Sequence, residues 1–191
     1  MKHHILTTGI SLLQNFARAQ TPPVKELDEA VKQHLRVQKF LAADPLKASA
    51  ELNSLHARTG FAGKSDSPSL AVTLIHTETA AGKCVCSLLE KFLKQRSVAI
   101  HKIPVKGFDK PARDFTPEYA QQEATQALTQ MRDRVVQHIA RLRRKSPDLE
   151  IELNCTGGYK AEVAVLYELG RALRLPVYYL HETFKTCVTL P

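Results

Sequence analysis

The sequence contains no tryptophan, only four cysteines and two methionines, and aromatic residues make up just 6% of its 191 positions. Each scarcity excludes something. Cys84, Cys86, Cys155 and Cys187 are too few for a disulfide scaffold and lack zinc-ribbon spacing, so they read as buried thiols of a cytosolic protein. Cys84 and Cys86 stand two residues apart in a helical segment, where their thiols diverge. No apolar run reaches 18 residues, so nothing reads as a membrane span and no membrane partner is expected. The opening Met1 to Gly9 lacks the apolar core and cleavage site of a signal peptide, and the expected location is cytoplasmic. The basic run Arg141-Leu142-Arg143-Arg144-Lys145 carries no interleaved aromatic residue. It suits a helix C-terminus better than a base-stacking groove, so sequence-specific DNA binding is not expected.

What remains is ordinary globular material, 43% hydrophobic and 24% charged. The length implies one domain over residues 1–191, and a chain of this size buries roughly 70% of its unfolded surface without a metal or disulfide staple. Lys and Arg number 27 against 19 Asp and Glu, a formal charge of +8 that favours a polyanionic partner.

Short β-rich runs alternate with longer helical ones. Strands are expected at His4 to Thr8, Leu70 to His76, Val98 to Val105, Leu149 to Asn154, Val177 to Leu180 and Cys187 to Leu190, the last two as a hairpin. Between them, helices are expected from Ser11, which reads as an N-cap, then around Val85, Leu88, Leu89, Phe92 and Leu93. A long helix should run from Pro117 to about Lys145, and an apolar, buried one from Ala161 to Leu173. Residues 21–66 break the alternation. Their periodicity (Val24, Leu27, Val31, Leu35, Leu41), interrupted at Asp44-Pro45, reads as an inserted helical pair after the first strand, a lid or dimer-packing element with a flexible return. The whole implies an α/β fold, a doubly wound, mainly parallel Rossmann-like sheet with helices on both faces. In such sheets ligands bind beyond the carboxyl ends of the strands, at the switch point.

That rule directs attention to three loops. Asn154-Cys155-Thr156-Gly157-Gly158-Tyr159-Lys160 joins a strand to a helix. Paired glycines permit close approach, helix amides favour an anion, and Lys160 adds a cation, together a phosphate cradle. It lacks the G-x-x-x-x-G-K-[ST] spacing, so triphosphate hydrolysis is not implied. The alternative is a tight turn with a solvated lysine. Thr7-Thr8-Gly9-Ile10-Ser11 repeats the logic, with Ser11 either a cap, a donor to phosphate or an acceptor from a ribose hydroxyl. His76-Thr77-Glu78-Thr79 ends the second strand, and His76 either lines the cavity or is a satisfied edge histidine. His181-Glu182 has the wrong order for a zinc deaminase, and no metal or cofactor is expected.

Taken in order, Ile5 to Leu13, His76 to Gly82, Asn154-x-Thr156-Gly157-Gly158-Tyr159-Lys160 and Pro176 to Glu182 resemble the CRISPR-associated Rossmann-fold (CARF) family, in its Thr-Gly-Gly-x-Lys group. The resemblance covers the chain apart from 21–66. It implies a C2 homodimer that binds a cyclic oligoadenylate, usually the tetra-adenylate, across its axis. Thr8, Gly9, Ile10, His76, Thr77, Thr79, Lys106, Asn154, Thr156, Gly157, Gly158 and Tyr159 would line the site. Family members usually carry an effector domain, which these residues leave no room for. The resemblance therefore implies a ring nuclease with Ser11 and Lys160 as catalytic residues, working slowly and without metal. The alternatives are a binding-only sensor or a generic mononucleotide-binding Rossmann protein.

Overall fold

The strands Lys2–Thr7 (β1), Leu70–Thr77 (β2), Ala99–Val105 (β3), Glu150–Asn154 (β4), Val177–His181 (β5) and Thr186–Leu190 (β6) form one sheet in the order β3-β2-β1-β4-β5-β6. The computed structural model describes residues 2–63, 70–107, 116–181 and 183–191. β1 to β5 are parallel, and β6 returns antiparallel on β5 as the expected hairpin. From β1 the chain steps outward to β2 and β3, then crosses back to β4 and steps the other way. The switch point therefore lies between β1 and β4.

Strand side chains alternate between two cores, as a sheet covered on both faces requires. Leu6, Leu70, Val72 and Leu74 pack under α1 (Ser11–Ala19), α6 (Ala80–Lys94) and the helices between β1 and β2. Ile5, Ile75, Ile103, Ile151, Leu153 and Val177 pack under α7 (Pro117–Lys145) and α8 (Lys160–Leu173). The five residues expected to face the core from α6 are all buried. α7 has the expected ends, with Thr116 as N-cap, Pro117 in its first turn and Arg143, Arg144 and Lys145 in its last.

Three expectations need correction. The inserted segment is four short helices, α2 (Leu27–Lys32), α3 (His34–Ala43), α4 (Pro45–Ala48) and α5 (Ala50–Thr59), followed by a 3₁₀ turn at Phe61–Gly63. It is no appended lid: Ala30, Val37, Leu41, Leu52, Leu55 and Phe61 are part of the first core. The helical register shifts at Gln33, so Val37 is buried while Leu35 is 63% exposed. Asp44 and Ser49 start α4 and α5 by accepting from Lys47 N and Leu52 N. Second, Ile10 and not Ser11 is the N-cap of α1, because the Ser11 hydroxyl has other partners. Third, α8 is amphipathic: Leu166, Leu169 and Gly170 are buried, while Ala161, Ala164 and Ala172 face outward. The proposed return at 64–69, the loop from Phe108 to Pro111 and Glu182 lie outside the described residues.

Candidate functional site

The loops after β1 and β4 meet at the switch point. A Cβ on Gly9 would stand 2.9 Å from Gly158 N, and Thr7 Oγ1 donates to the Gly157 carbonyl. Gly158 has φ +96°, and a Cβ there would come within 2.6 Å of Thr7 Cβ. Two constraints, one conformational and one steric, thus require glycine at 158.

The cradle is filled from inside. Glu51, on α5 and 2% exposed, reaches between the two loops. Its Oε1 accepts from Gly9 N at 2.7 Å, and its Oε2 accepts from Ser49 Oγ at 2.7 Å and Ser11 Oγ at 3.2 Å. It also occupies the space a side chain at Gly157 would need, with Oε1 2.5 Å from that Cβ. Each such bond to a charged group contributes on the order of 1.5–3 kcal/mol. A second carboxylate serves the other helix start: Glu162 Oε2 accepts from Tyr159 N at 3.0 Å. Glu162 is 1% exposed, burial pushes its carboxyl up against the pull of the Tyr159 amide, and its Oε1 has no partner among the described residues. One amide of each loop, Gly9 N and Tyr159 N, is therefore taken by the protein's own acids.

α5 presents a polar stripe at i, i+3 and i+7 to the strand ends. Beyond Glu51, Ser54 accepts from Asn154 Nδ2 at 2.7 Å, and Arg58 Nε donates to Glu152 Oε2 at 2.7 Å with its guanidinium over the Tyr178 ring. Burial pushes Glu152 up, but Arg58, His4 and Lys2 together hold it below the usual carboxylate range. Tyr178 is fully buried with its hydroxyl 3.0 Å from His4 Nδ1. The stripe was not foreseen from the sequence, although Glu51, Ser54 and Arg58 stand on one helical face beside Leu52 and Leu55.

The expected site residues divide by what they do. Thr8 spends its hydroxyl on Ile75 O, and Asn154 Oδ1 accepts from Thr156 N. Thr156 Oγ1 accepts from Leu180 N, fixing the loop to β5. His76 is buried with Nδ1 on Thr77 O, while Thr77 and Thr79 share a hydroxyl pair and Thr79 caps α6 through Gly82 N. Gly9, Ile10 and Ser11, and Gly157 and Gly158 opposite, are partly exposed at the loop junction; Tyr159 and Lys160 are exposed. Among the described residues no hydrogen bond or ion pair joins Ser11 to Lys160. Lys106 stands apart: three strand spacings, about 14 Å, separate β3 from β4. It lines a cavity of about 420 Å³ with Glu78, Gly107, Glu123 and Gln130. A second cavity of about 420 Å³ opens beside the Thr156 loop, between Asn53 of α5 and Tyr179, His181 and Lys185 of the hairpin.

The cysteines are free, and burial pushes Cys86 and Cys155 up to about 12, which makes them inert thiols. Among the described residues no group of three or more acidic, histidine or cysteine side chains is arranged to hold a metal ion, and no helix is long and apolar enough to cross a membrane.

A doubly wound Rossmann-like sheet with two glycine loops meeting at its switch point puts the candidate site where ligands bind in folds of this class. Residues 46–191 match the model of a family described as CRISPR-associated protein (Cas_APE2256), and the chain belongs to that family. The match takes in α5 with Glu51 and the Thr-Gly-Gly-x-Lys loop, and begins after β1. The CRISPR-associated Rossmann-like class indicated by the motifs is thus confirmed. No curated protein matches the sequence. Similar solved structures include protein VC1899 from Vibrio cholerae, 8% identical with a TM-score of 0.51 over 99% of this chain and 33% of that one. Csm6 from Enterococcus italicus bound to cyclic hexa-2′-fluoro-hexa-dAMP is 12% identical, TM-score 0.52, over 97% and 34%. Can2 from Sulfobacillus thermosulfidooxidans in complex with cyclic tetra-adenylate is 12% identical, TM-score 0.49, over 100% and 35%. The chain spans about a third of the length of these structures.

Proposed function

We propose that this protein binds cyclic oligoadenylate, most favourably the tetra-adenylate, across the axis of a homodimer and cleaves it without a metal ion. The observation that carries the reading is the junction of the Gly9 and Gly158 loops at the switch point, with Lys160 exposed beside it, in a CRISPR-associated chain. The Csm6 fold relative holding a cyclic hexa-adenylate analogue supports the ligand class. A ring with four phosphates has more symmetry than one loop pair can meet, and a C2 dimer supplies the pair twice.

In the proposed reaction a ribose 2′-hydroxyl attacks the adjacent phosphorus in line. The 2′-O–P bond forms, the P–O5′ bond breaks, and a 2′,3′-cyclic phosphate and a 5′-hydroxyl result. Holding those three atoms collinear supplies up to ~7–11 kcal/mol. Glu51 and Glu162 occupy the Gly9 and Tyr159 amides, so Lys160 carries most of the charge that develops on the phosphoryl oxygens. Ser11 orients the reacting nucleotide. A binding-only sensor is the second reading, favoured because among the described residues no hydrogen bond or ion pair joins Ser11 to Lys160. Product analysis after incubation with cyclic tetra-adenylate separates the two, and light scattering tests the dimer.

A further inference from the structure

The two partners of the Ser11 hydroxyl leave it one direction. A carboxylate only accepts, so Ser11 Oγ donates its single hydrogen to Glu51 Oε2 at 3.2 Å. An amide N–H only donates, so Ala50 N fills one lone pair of the same oxygen at 3.3 Å. One lone pair is left, on a residue that is partly exposed. Glu51 itself is held from three sides, by Gly9 N, Ser49 Oγ and the close pass over Gly157, and cannot turn away without breaking the junction.

We propose that Glu51 is a positioning residue that fixes Ser11 as a hydrogen-bond acceptor, so that the loop after β1 takes a ribose hydroxyl and turns phosphate away. A phosphate oxygen brings no hydrogen. At Ser11 it would meet a committed hydroxyl with a negative charge directly behind it, two acceptors facing each other. A ribose hydroxyl brings its own hydrogen to the one free lone pair, and the carboxylate behind strengthens that acceptor. The inference rests on the ligand proposed above and assigns which part of it each loop reads: sugar at Ser11, phosphate at Lys160.

Glu51→Gln reverses the polarity. With the Gln oxygen kept on Gly9 N, its NH₂ faces Ser11 and Ser49, and Ser11 must then point its hydrogen at the ligand. The test compares binding of all-ribose cyclic tetra-adenylate, measured before turnover, with its 2′-deoxy analogue. The wild type is expected to prefer the ribose ring about five- to tenfold for each Ser11 the ring engages, the worth of one such bond. Glu51→Gln and Ser11→Ala should both bring the ratio to about one. A Glu51→Gln protein that keeps the full preference, or that weakens both rings equally, overturns the proposal; equal weakening is what a merely structural role gives. If Glu51→Gln does not fold, the ratio in Ser11→Ala decides, and an unchanged ratio overturns the proposal. A ligand-free arm uses urea unfolding. Ser11→Ala should lower the midpoint more in the wild-type background than in a Glu51→Ala background, where only the bond from Ala50 N is left to lose. Equal losses in both would show that Ser11 does not bond Glu51. A wild type that binds neither ring removes the proposed ligand, and the unfolding arm then decides the Ser11–Glu51 link by itself.

Discussion

Glu51 fills the place of a side chain at Gly157: a Cβ there would lie 2.5 Å from its Oε1 and 2.9 Å from its Cδ and Cγ. The first glycine of the Thr-Gly-Gly loop thus makes room for a carboxylate of the protein, where a ligand was expected. Gly157→Ala should push Glu51 off Gly9 and Ser11 and cost about 1–3 kcal/mol, as overpacking of a close site does. Thermal unfolding reads the loss, and an unchanged Tm would mean that Glu51 swings aside freely.

Lys160→Ala should abolish cleavage and weaken ring binding, because Lys160 is the exposed cation at the start of α8. Ser11→Ala should slow cleavage by ~100-fold or more, the cost of small misplacement, while binding falls less than tenfold for each Ser11 lost. Single-turnover rates and equilibrium binding on the same preparations separate the two effects. Equal losses in both would make Ser11 a ligand-holding group alone.

Acid should weaken the fold through its buried histidines. Burial, with His138, His101 and His4 nearby, lowers His3 to about 3; burial lowers His4 to about 4 despite Glu152, and His138 to about 4 with His101 and Arg141. His3 and His138 share Thr73 Oγ1 at 2.7 and 2.8 Å. These groups stay neutral when folded but titrate near 6.5 when unfolded. Their contribution is complete above pH 6.5 and is lost as pH falls toward 4 and 3. Between pH 7 and 5 the loss is on the order of 2 kcal/mol per histidine, less where they titrate together. Urea midpoints at pH 7, 6 and 5 should fall in that order; a flat series would contradict the buried neutral cluster.

EDTA should leave turnover unchanged, since every proposed step uses side chains and the ligand's own hydroxyl. Loss of activity on chelation, restored by a divalent ion, would contradict the metal-free scheme.

Much of this was legible in sequence order. The Val-, Ile- and Leu-rich runs located all six strands, and Pro117 with the basic end at Arg143 to Lys145 gave α7 its bounds. The doubly wound, mainly parallel sheet followed from the alternation of strands and helices, whereas its strand order came only with the structure. The site was legible only in part. Thr7 to Ser11 and Asn154 to Lys160 do meet, but glycines in a loop do not say what approaches them. Glu51 stood in a stretch rich in Glu and Lys, where a carboxylate reads as solvated, and its burial depends on α5 crossing the ends of β1 and β4. Leu35 failed for a related reason: a break at Gln33 rotated the following helix, which periodicity across 21–41 could not register.

The most direct test of the central claim is incubation of the purified protein with radiolabelled cyclic tetra-adenylate in EDTA, read by native gel and denaturing chromatography. The expected result is slow conversion to linear di-adenylate ending in a 2′,3′-cyclic phosphate. Recovery of the intact ring would contradict cleavage, with a tight gel shift leaving a sensor and no shift removing the ligand as well.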